Sequence, residues 1–230
     1  MRILLTGFLL ASFCCAASDN IALDKLRDGQ DRAGLEKATT ALQAEAEKSP
    51  NDANRWYQAA IGYSYIAEVA YELRDKGASQ RAAEAGVKDA EKAIALNGKN
   101  ADYYRVLGTL CGQVIPANPL MGALTYGKRA KEALDKAIAL DPKSAKAYVA
   151  HGVGFYYLPT NFGGGPENAM KDYQQAIALD PKSAEAYLWM GIARSKQHQY
   201  AEARAALTKS LELDPDRVWT KQQLDKLPKQ

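Results

Sequence analysis

One twelve-residue stretch occurs twice in this chain. "AIALDPKSAKAY" occupies residues 137–148, and "AIALDPKSAEAY" occupies residues 176–187, with a single difference between them. Related strings are "AIALNG" at 93–98 and "SLELDP" at 210–215, which gives spacings of 44, 39 and 34 residues. Self-similarity at such spacings is typical of repeat arrays, in which one unit cannot bury its apolar face alone and must stack on the next. The chain is therefore predicted to form one array and not two domains.

Each copy carries apolar or small residues at helical spacing and ends at a proline or glycine, which stops a helix. In the last unit Tyr187, Gly191, Ala203, Leu207 and Pro215 follow one another as large, small, small, large and proline. This pattern resembles the tetratricopeptide repeat (TPR). Corresponding positions in the two preceding units are Tyr148, Gly152, Ala169, Tyr173 and Pro181, and Tyr104, Gly108, Ala130, Leu134 and Pro142.

The resemblance implies an all-α fold, a right-handed α-solenoid of stacked helix hairpins. We expect about four units, preceded by a half unit and followed by a capping helix. The glycines at 108, 152 and 191 are expected where two helices approach closely, opposite the alanines at 130, 169 and 203.

Three units exceed 34 residues, by 14, 10 and 5, and the excess lies between the first and second helix of each unit. The first insertion, within residues 52–97, contains no proline and is predicted to lengthen both helices by about two turns. The second, 114–127, and the third, 158–169, contain prolines and glycines and are predicted to be loops. All three are expected at the same end of the stack.

Residues 1–17 have the features of a secretory signal peptide, with Arg2 followed by an apolar run too short to span a bilayer. Cleavage after Ala17 would leave one domain, residues 18–230, that is exported and either periplasmic or secreted. The alternative is a lipoprotein anchored through Cys14 or Cys15. After removal of the signal we expect no transmembrane segment.

The charge pattern and the candidate reactive residues both argue against several classes of function. The 30 basic and 27 acidic residues are interspersed, which argues against nucleic acid as a partner. Gly163–Gly165 lacks the context of a nucleotide-binding loop, and we expect a turn with Pro166 beginning a helix. His151, His198 and Cys111 lack the partners that a metal site or a nucleophile needs. We therefore expect no catalytic residues, no metal, no cofactor and no enzyme activity.

The remaining candidate site is the face of each first helix that turns away from the second helix. In the TPR family this face lines a concave groove that holds peptides or partner helices. Its residues here are Tyr57, Ile61, Tyr65, Arg105, Thr109, Val149, Val153, Tyr156, Leu188 and Ile192. The alternatives are that neighbouring repeats or a C-terminal helix around Trp219 and Leu224 cover these side chains, or that partners bind the inserted loops.

The chain also resembles uncharacterised exported bacterial TPR proteins. We expect a non-catalytic scaffold of the bacterial cell envelope that binds a protein or peptide in the groove, and a homo-oligomer is possible. The alternative is a periplasmic transport accessory that holds a small apolar solute. An open, polar-rimmed groove favours the first function, and a closed apolar cavity favours the second.

Overall fold

The computed structural model describes residues 22–229, and this part of the chain is helical with no β-strand. A short helix α1 covers residues 22–28. The following helices are α2 (Arg32–Lys48), α3 (Ala53–Glu72), α4 (Lys76–Leu96), α5 (Ala101–Val114), α6 (Pro119–Gly122), α7 (Lys128–Leu140), α8 (Ala145–Tyr157), α9 (Pro166–Leu179), α10 (Ala184–Lys196), α11 (Tyr200–Leu213) and α12 (Val218–Asp225). Consecutive long helices pair as the hairpins α3–α4, α5–α7, α8–α9 and α10–α11, so the predicted solenoid of four units is confirmed. The half unit is α1–α2, and α12 is the C-terminal helix.

The repeated "DPKS" forms the connection between one hairpin and the next. The side chains of Asp141 and Asp180 each accept a hydrogen bond from the amide two residues later, at 3.0 Å. The hydroxyls of Ser144 and Ser183 then accept from the amides three residues later, at 3.2 and 3.3 Å, and so cap α8 and α10. The aspartate stabilises the turn and the serine begins the next helix. This is why the string recurs in the sequence.

The glycine positions of the repeat are the points of closest helix approach, as predicted. A Cβ atom at Gly108 would lie 2.6 Å from Leu134 Cγ. At Gly152 it would lie 2.6 Å from Tyr173 Cε1, and at Gly191 it would lie 2.6 Å from Leu207 Cγ. Only a residue without a side chain leaves room for the large residue of the second helix.

The first insertion lengthens both helices of its hairpin, which confirms the prediction for residues 52–97. Helices α3 and α4 contain 20 and 21 residues, whereas α10 and α11 contain 13 and 14. Seven extra residues correspond to about two turns at 3.6 residues per turn. The extra turns carry the C-terminal end of α3 beyond the ends of the other first helices.

The prediction of a loop at 114–127 is wrong. Residues Ile115–Ala117 form a 3₁₀ turn, Pro119–Gly122 form α6, and Ala123–Gly127 form a π-helical segment that continues into α7. Both prolines lie in the first turn of their helices, where a missing N–H costs nothing because that N–H has no partner within the helix. Proline therefore begins helices in this segment instead of breaking them.

The third insertion is a loop containing one 3₁₀ turn, Thr160–Phe162, and Pro166 begins α9 as predicted. Gly163 and Gly165 have positive φ angles of 82° and 103°, a conformation that favours glycine. Gly164 has no such angle but is enclosed, because a Cβ there would lie 2.0 Å from the carbonyl oxygen of Leu158.

The signal peptide and the possible lipidation sites predicted for residues 1–17 lie outside the described residues. Within 22–229, no helix has both the length and the apolar character that crossing a bilayer requires.

Candidate concave binding face

The ten residues predicted to line the groove lie on α3, α5, α8 and α10, the first helices of the four hairpins. None of the ten is fully exposed. Ile61, Val149 and Leu188 are buried, and the other seven are half-buried. Most of this face is therefore covered by other parts of the chain, and different elements cover it in different places.

Helix α1 covers the N-terminal part of the face. The Tyr65 hydroxyl donates to Asp24 at 2.6 Å, and the Arg27 guanidinium lies over the Tyr65 ring, 4.8 Å from its centroid. Burial raises the pKa of Tyr65 well above its usual range, so this phenol stays protonated and donates. Leu23 packs beside Ile61 in the main core cluster. Tyr65 and Ile61 are thus structural residues in this conformation.

The part of the face formed by Tyr57, Arg105 and Thr109 is covered by contacts between and within the neighbouring first helices α3 and α5. The rings of Tyr57 and Tyr103 are 4.9 Å apart. Arg105 Nε donates to Asp102 at 2.7 Å, and the Thr109 hydroxyl donates to the backbone oxygen of Arg105 at 3.0 Å. These polar groups satisfy one another within α5.

A group of aromatic residues lies at the middle of the face, and we call Tyr71, Tyr156, Tyr157 and Trp189 the aromatic cluster. Tyr157 packs edge-on against Tyr71 at 6.3 Å and against Trp189 at 6.1 Å. Tyr156 lies 5.9 Å from Trp189. The Trp189 indole N–H donates to Glu185 at 3.1 Å. The cluster joins α3 to α8 and α10 across the concave side, and about half of the Tyr157 surface stays exposed.

Helix α12 covers the C-terminal part, as one of the sequence-based alternatives proposed. Leu188 and Ile192 of α10 pack in one cluster with Trp219, Leu224 and Leu227. The C-terminal helix therefore covers the apolar residues of α10 on this face.

An arginine and three carboxylates join the two ends of the chain, and we call Arg217, Asp28, Glu68 and Glu72 the latch. Arg217 precedes α12 and is only 1% exposed. Its Nη2 donates to Glu68 and to Glu72, both at 2.5 Å, and its Nη1 donates to Glu72 at 3.2 Å. Asp28 lies 3.7 Å from its Nε. The latch holds the C-terminal helix against α1 and α3.

Glutamine residues extend the latch. Gln30 donates to Glu72 at 2.7 Å, and Gln222 of α12 donates to Gln30 at 3.1 Å. This contact spans 192 positions of sequence. The N-terminal half unit and the C-terminal helix are thus connected by polar contacts in series.

The latch carries more acidic than basic groups. Burial raises the pKa of Glu68 to about 7, although the nearby Arg217 and Arg27 act in the opposite direction. Burial also raises the pKa of Glu72, again against the influence of Arg217. Removing carboxylates from water favours their neutral form, and two arginines cannot compensate all of them. Burial therefore favours the protonated form of Glu68 up to near neutral pH.

An open cleft of ≈ 690 Å³ remains where α12 meets the C-terminal end of α3, and we call it the seam cleft. Its walls include Tyr71, Leu73, Arg74, Trp219 and Lys226. The Lys226 ammonium lies 4.5 Å from the centre of the Trp219 ring. A second open cleft of ≈ 710 Å³ is lined by the polar turn between α2 and α3 and by Tyr103.

The three candidate reactive residues are structural. His151 Nδ1 lies 2.8 Å from Asp172, and its Nε2 lies 3.3 Å from Asp135. His198 pairs with the Tyr200 hydroxyl at 2.8 Å, at a turn where its φ is 61°. Cys111 is buried, and burial raises its thiol pKa to about 11, which suppresses the reactive thiolate. Residues 22–229 contain no group of three or more His, Cys, Asp or Glu arranged to hold a metal ion.

The sequence interpretation missed the latch, although one signal for Arg217 was present. The third copy of the turn reads "DPDRV" where the others read "DPKSA", so Arg217 takes the place of the capping residues Ser144 and Ser183. An arginine there cannot accept the hydrogen bond that a helix start needs, and α12 has no side-chain cap. A cation in a capping position indicates that another contact fixes it.

The comparisons with known proteins agree with this fold. A thermophilic TPR protein from Thermus thermophilus is 19% identical, with 87% of this chain and 97% of that chain covered and a TM-score of 0.61. The HusA haemophore from Porphyromonas gingivalis is 17% identical, with 83% and 96% covered and a TM-score of 0.66. At these identities the likeness shows the fold alone. No curated protein matches the sequence.

Models of known protein families match both halves of the chain. TPR repeat models match residues 166–198 and 184–217, which confirms the TPR superfamily. The model described as regulator of microtubule dynamics protein 1–3 matches residues 21–158, more than half of the chain. The chain therefore belongs to the family of regulator of microtubule dynamics proteins 1–3, built on a TPR solenoid.

Proposed function

We propose that this chain is a non-catalytic scaffold that binds a protein or peptide on the concave face, and that the partner displaces the C-terminal helix. The observation that carries the proposal is how α12 closes that face. A buried polar latch and one small apolar cluster hold it, and the seam cleft stays open beside it. TPR repeats typically mediate protein binding, and the superfamily consists generally of non-catalytic scaffolds.

The nature of the latch supports reversible closure. A buried ion pair repays its desolvation cost only in part, so it contributes less net stability than an apolar contact of the same size. The carboxyl groups and the arginine become solvated when α12 moves away, which lowers the cost of opening. A partner segment that covers Leu188 and Ile192 would replace the apolar contacts that α12 gives up.

The aromatic cluster is the best candidate for the partner contact. Binding energy is usually concentrated in a few aromatic and arginine residues near the centre of an interface. Tyr156, Tyr157 and Trp189 are packed at their edges and still reach solvent. Tyr57 and Tyr65 hold α1 and α5 in place, and we assign them to the architecture of the face.

The family description supports binding over catalysis, because regulating a protein polymer requires contact with other proteins. An exported chain would not meet cytosolic microtubules. We therefore expect this chain to share the family's binding character and to bind a different partner. Both clefts are open and partly polar, which favours a peptide segment over a small apolar solute enclosed in a cavity.

Site-specific photo-crosslinking tests this function. A photoreactive phenylalanine derivative replaces Tyr156 on the concave face or, as a control, Lys131 on the exposed side of α7. We expect a defined protein to be crosslinked in the native host through position 156 and not through position 131. Crosslinking from 131 alone, or from neither position, would contradict the proposal.

We also propose that the chain is exported to the periplasm or secreted, because the N-terminal sequence has the pattern of a cleaved signal. The intact mass of the protein from its native host tests this directly. We expect a chain that begins at Ser18. A chain that retains residues 1–17 without modification would exclude export by this route, and a lipid-sized addition on Cys14 or Cys15 would identify a lipoprotein.

A further inference from the structure

The large apolar side chains that remain exposed are distributed unevenly. In a stack of helix hairpins, every turn from a first helix to its second helix lies at the same end. Among the side chains that the structure describes, eight large apolar residues are exposed, and seven of them lie at these turns: Leu73, Leu120, Met121, Leu124, Tyr157, Leu158 and Tyr200. The eighth, Leu96, ends a second helix and lies at the opposite end. We call the end of the stack that carries these seven residues the apolar end.

The segment 119–127 presents the most exposed of these side chains, and its orientation is fixed. Gly122 is buried against Ile115, because a Cβ there would lie 2.7 Å from the Ile115 Cα. The Asn118 side chain accepts from the Met121 amide at 3.4 Å and caps the helix. With this inner side held, Leu120 and Leu124 stay 73% and 72% exposed and Met121 stays 56% exposed. The segment is therefore a capped helical turn with an apolar outer side.

The apolar end also carries cations without carboxylate partners. Arg74, Lys76, Lys196 and Lys226 have no acidic side chain within 4.0 Å among the residues that the structure describes. Lys196 and Lys226 lie over the rings of Tyr156 and Trp219, at 4.4 and 4.5 Å. Burial and the charge of Arg74 lower the pKa of Lys226, so a nearby anion would relieve repulsion there.

Basic residues also follow the exposed leucines along the same helix. Lys128 and Lys131 come four and seven residues after Leu124, which places them about 6 and 10 Å behind it at 1.5 Å per residue. Their ion pairs with Glu132 and Asp135 join exposed side chains within one helix, and such pairs contribute little. Apolar side chains at the tip with ammonium groups behind them match the depth profile of a lipid interface.

We propose that the apolar end docks on an anionic lipid surface, with Leu120, Met121 and Leu124 inserted between headgroups. Arg74, Lys76, Lys196 and Lys226 would then contact lipid phosphate or carboxylate groups. A protein interface is a poorer match, because lysine is depleted from interface centres whereas a lipid interface accommodates it beside apolar residues. Leu120, Met121 and Leu124 are not among the residues assigned to the concave binding face, whereas Tyr157 also belongs to the aromatic cluster and Arg74 and Lys226 also line the seam cleft. The triple serine variant therefore tests the lipid proposal separately from the concave-face proposal.

Vesicle sedimentation tests the proposal with the chain from Ser18 onward, which keeps every described residue and omits the apolar N-terminal segment. The vesicles contain phosphatidylcholine alone or phosphatidylcholine with about 30% phosphatidylserine. We expect binding to the anionic vesicles, weaker binding at high salt, and a loss of about tenfold or more when Leu120, Met121 and Leu124 are all replaced by Ser. Leu96→Ser is the matched control at the opposite end and should bind as the wild type does.

A second variant separates the charge from the apolar contribution. Replacing Arg74 and Lys76 by Glu should weaken binding to the anionic vesicles several-fold while helical content stays unchanged. The proposal is overturned if the wild type does not sediment with anionic vesicles, or if the triple serine variant binds equally well. It is also overturned if light scattering shows a dimer that the triple variant abolishes while vesicle binding is absent, since the apolar end would then be a contact between two copies.

Discussion

The guanidinium of Arg217 and the carboxylate of Glu72 are 145 positions apart in the sequence and form two hydrogen bonds, at 2.5 and 3.2 Å. Glu72 is the last residue of α3, and Arg217 immediately precedes α12. Both Glu68 and Glu72 lie in the last two turns of the 20-residue α3, the part by which it exceeds the 13-residue α10. Through the pair of Arg217 and Glu72, the C-terminal helix is held against α3 and covers one side of the concave face.

The latch predicts that Arg217→Ala destabilises the protein strongly. Removing one partner of a buried ion pair leaves the other charge uncompensated, which typically costs about 3–5 kcal/mol. Urea unfolding followed by circular dichroism measures the free energy of unfolding. The control is Arg74→Ala at the exposed seam, where a surface substitution should change stability by less than about 0.5 kcal/mol. Equal stability of the Arg217 and Arg74 variants would show that the latch is not formed in solution.

The latch also predicts a stability that falls as pH rises through neutrality. The pKa of Glu68 is about 7 in the folded chain, above its ordinary value of 4.5, so its contribution is complete below about pH 4.5 and is lost as pH rises through 7. Glu72 shifts in the same direction. Between pH 6 and 8.5 we expect the free energy of unfolding to decrease by roughly 1–2 kcal/mol.

Glu68→Gln is the control for this pH dependence. Glutamine keeps an oxygen that accepts from Arg217 and removes the titrating group. The charged groups that remain around position 68 are Arg27, Glu72, Glu185 and Arg217. A pH slope of the same size in wild type and Glu68→Gln would assign the effect to another group.

Alanine substitutions at two glycines of α8 distinguish the effect of close helix packing from the effect of helix propensity. A Cβ at Gly152 would lie 2.6 Å from Tyr173, so Gly152→Ala should destabilise the fold by about 1–3 kcal/mol through overpacking. At Gly154 the nearest atom would be 3.9 Å away, and alanine there should be neutral or stabilise by up to about 1 kcal/mol. Melting temperatures of the two variants test the prediction, and the reverse order would contradict the helix pairing.

Two glycines of the loop between α8 and α9 allow a second comparison of stability. Gly164→Ala should be the more harmful substitution, because its Cβ would collide with the backbone oxygen of Leu158 at 2.0 Å. Gly163→Ala meets open space and carries only the cost of a positive φ, about 1 kcal/mol. Thermal unfolding distinguishes the two. A larger loss for Gly163→Ala would mean that the loop backbone differs from the one described.

The fold could be predicted from the sequence because its determinants are local and repeated. Gly152 and Tyr173 belong to one unit, and the same pair of positions recurs in each unit. The loop prediction for residues 114–127 is wrong because it treats proline as a helix breaker. Pro116 and Pro119 lie in first turns, where proline is tolerated, and composition alone does not distinguish these two roles.

The candidate site could be predicted only in part. The sequence predicted which residues of α3, α5, α8 and α10 would line the concave side, and it offered the C-terminal helix as a cover. The closing of the face depends on the summed rotation of the stacked hairpins and on the length of α3. Contacts such as that between Arg217 and Glu68 result from this global geometry, which no short stretch of sequence encodes.

Hydrogen–deuterium exchange of the whole chain, with and without the partner captured through position 156, tests the central claim most directly. If the concave face binds the partner, backbone amides of α3, α5, α8 and α10 gain protection while those of α12 exchange faster, because the C-terminal helix is displaced. Protection confined to α7 and α11, or to residues 114–127, with α12 unchanged, would contradict the account and place the binding site elsewhere.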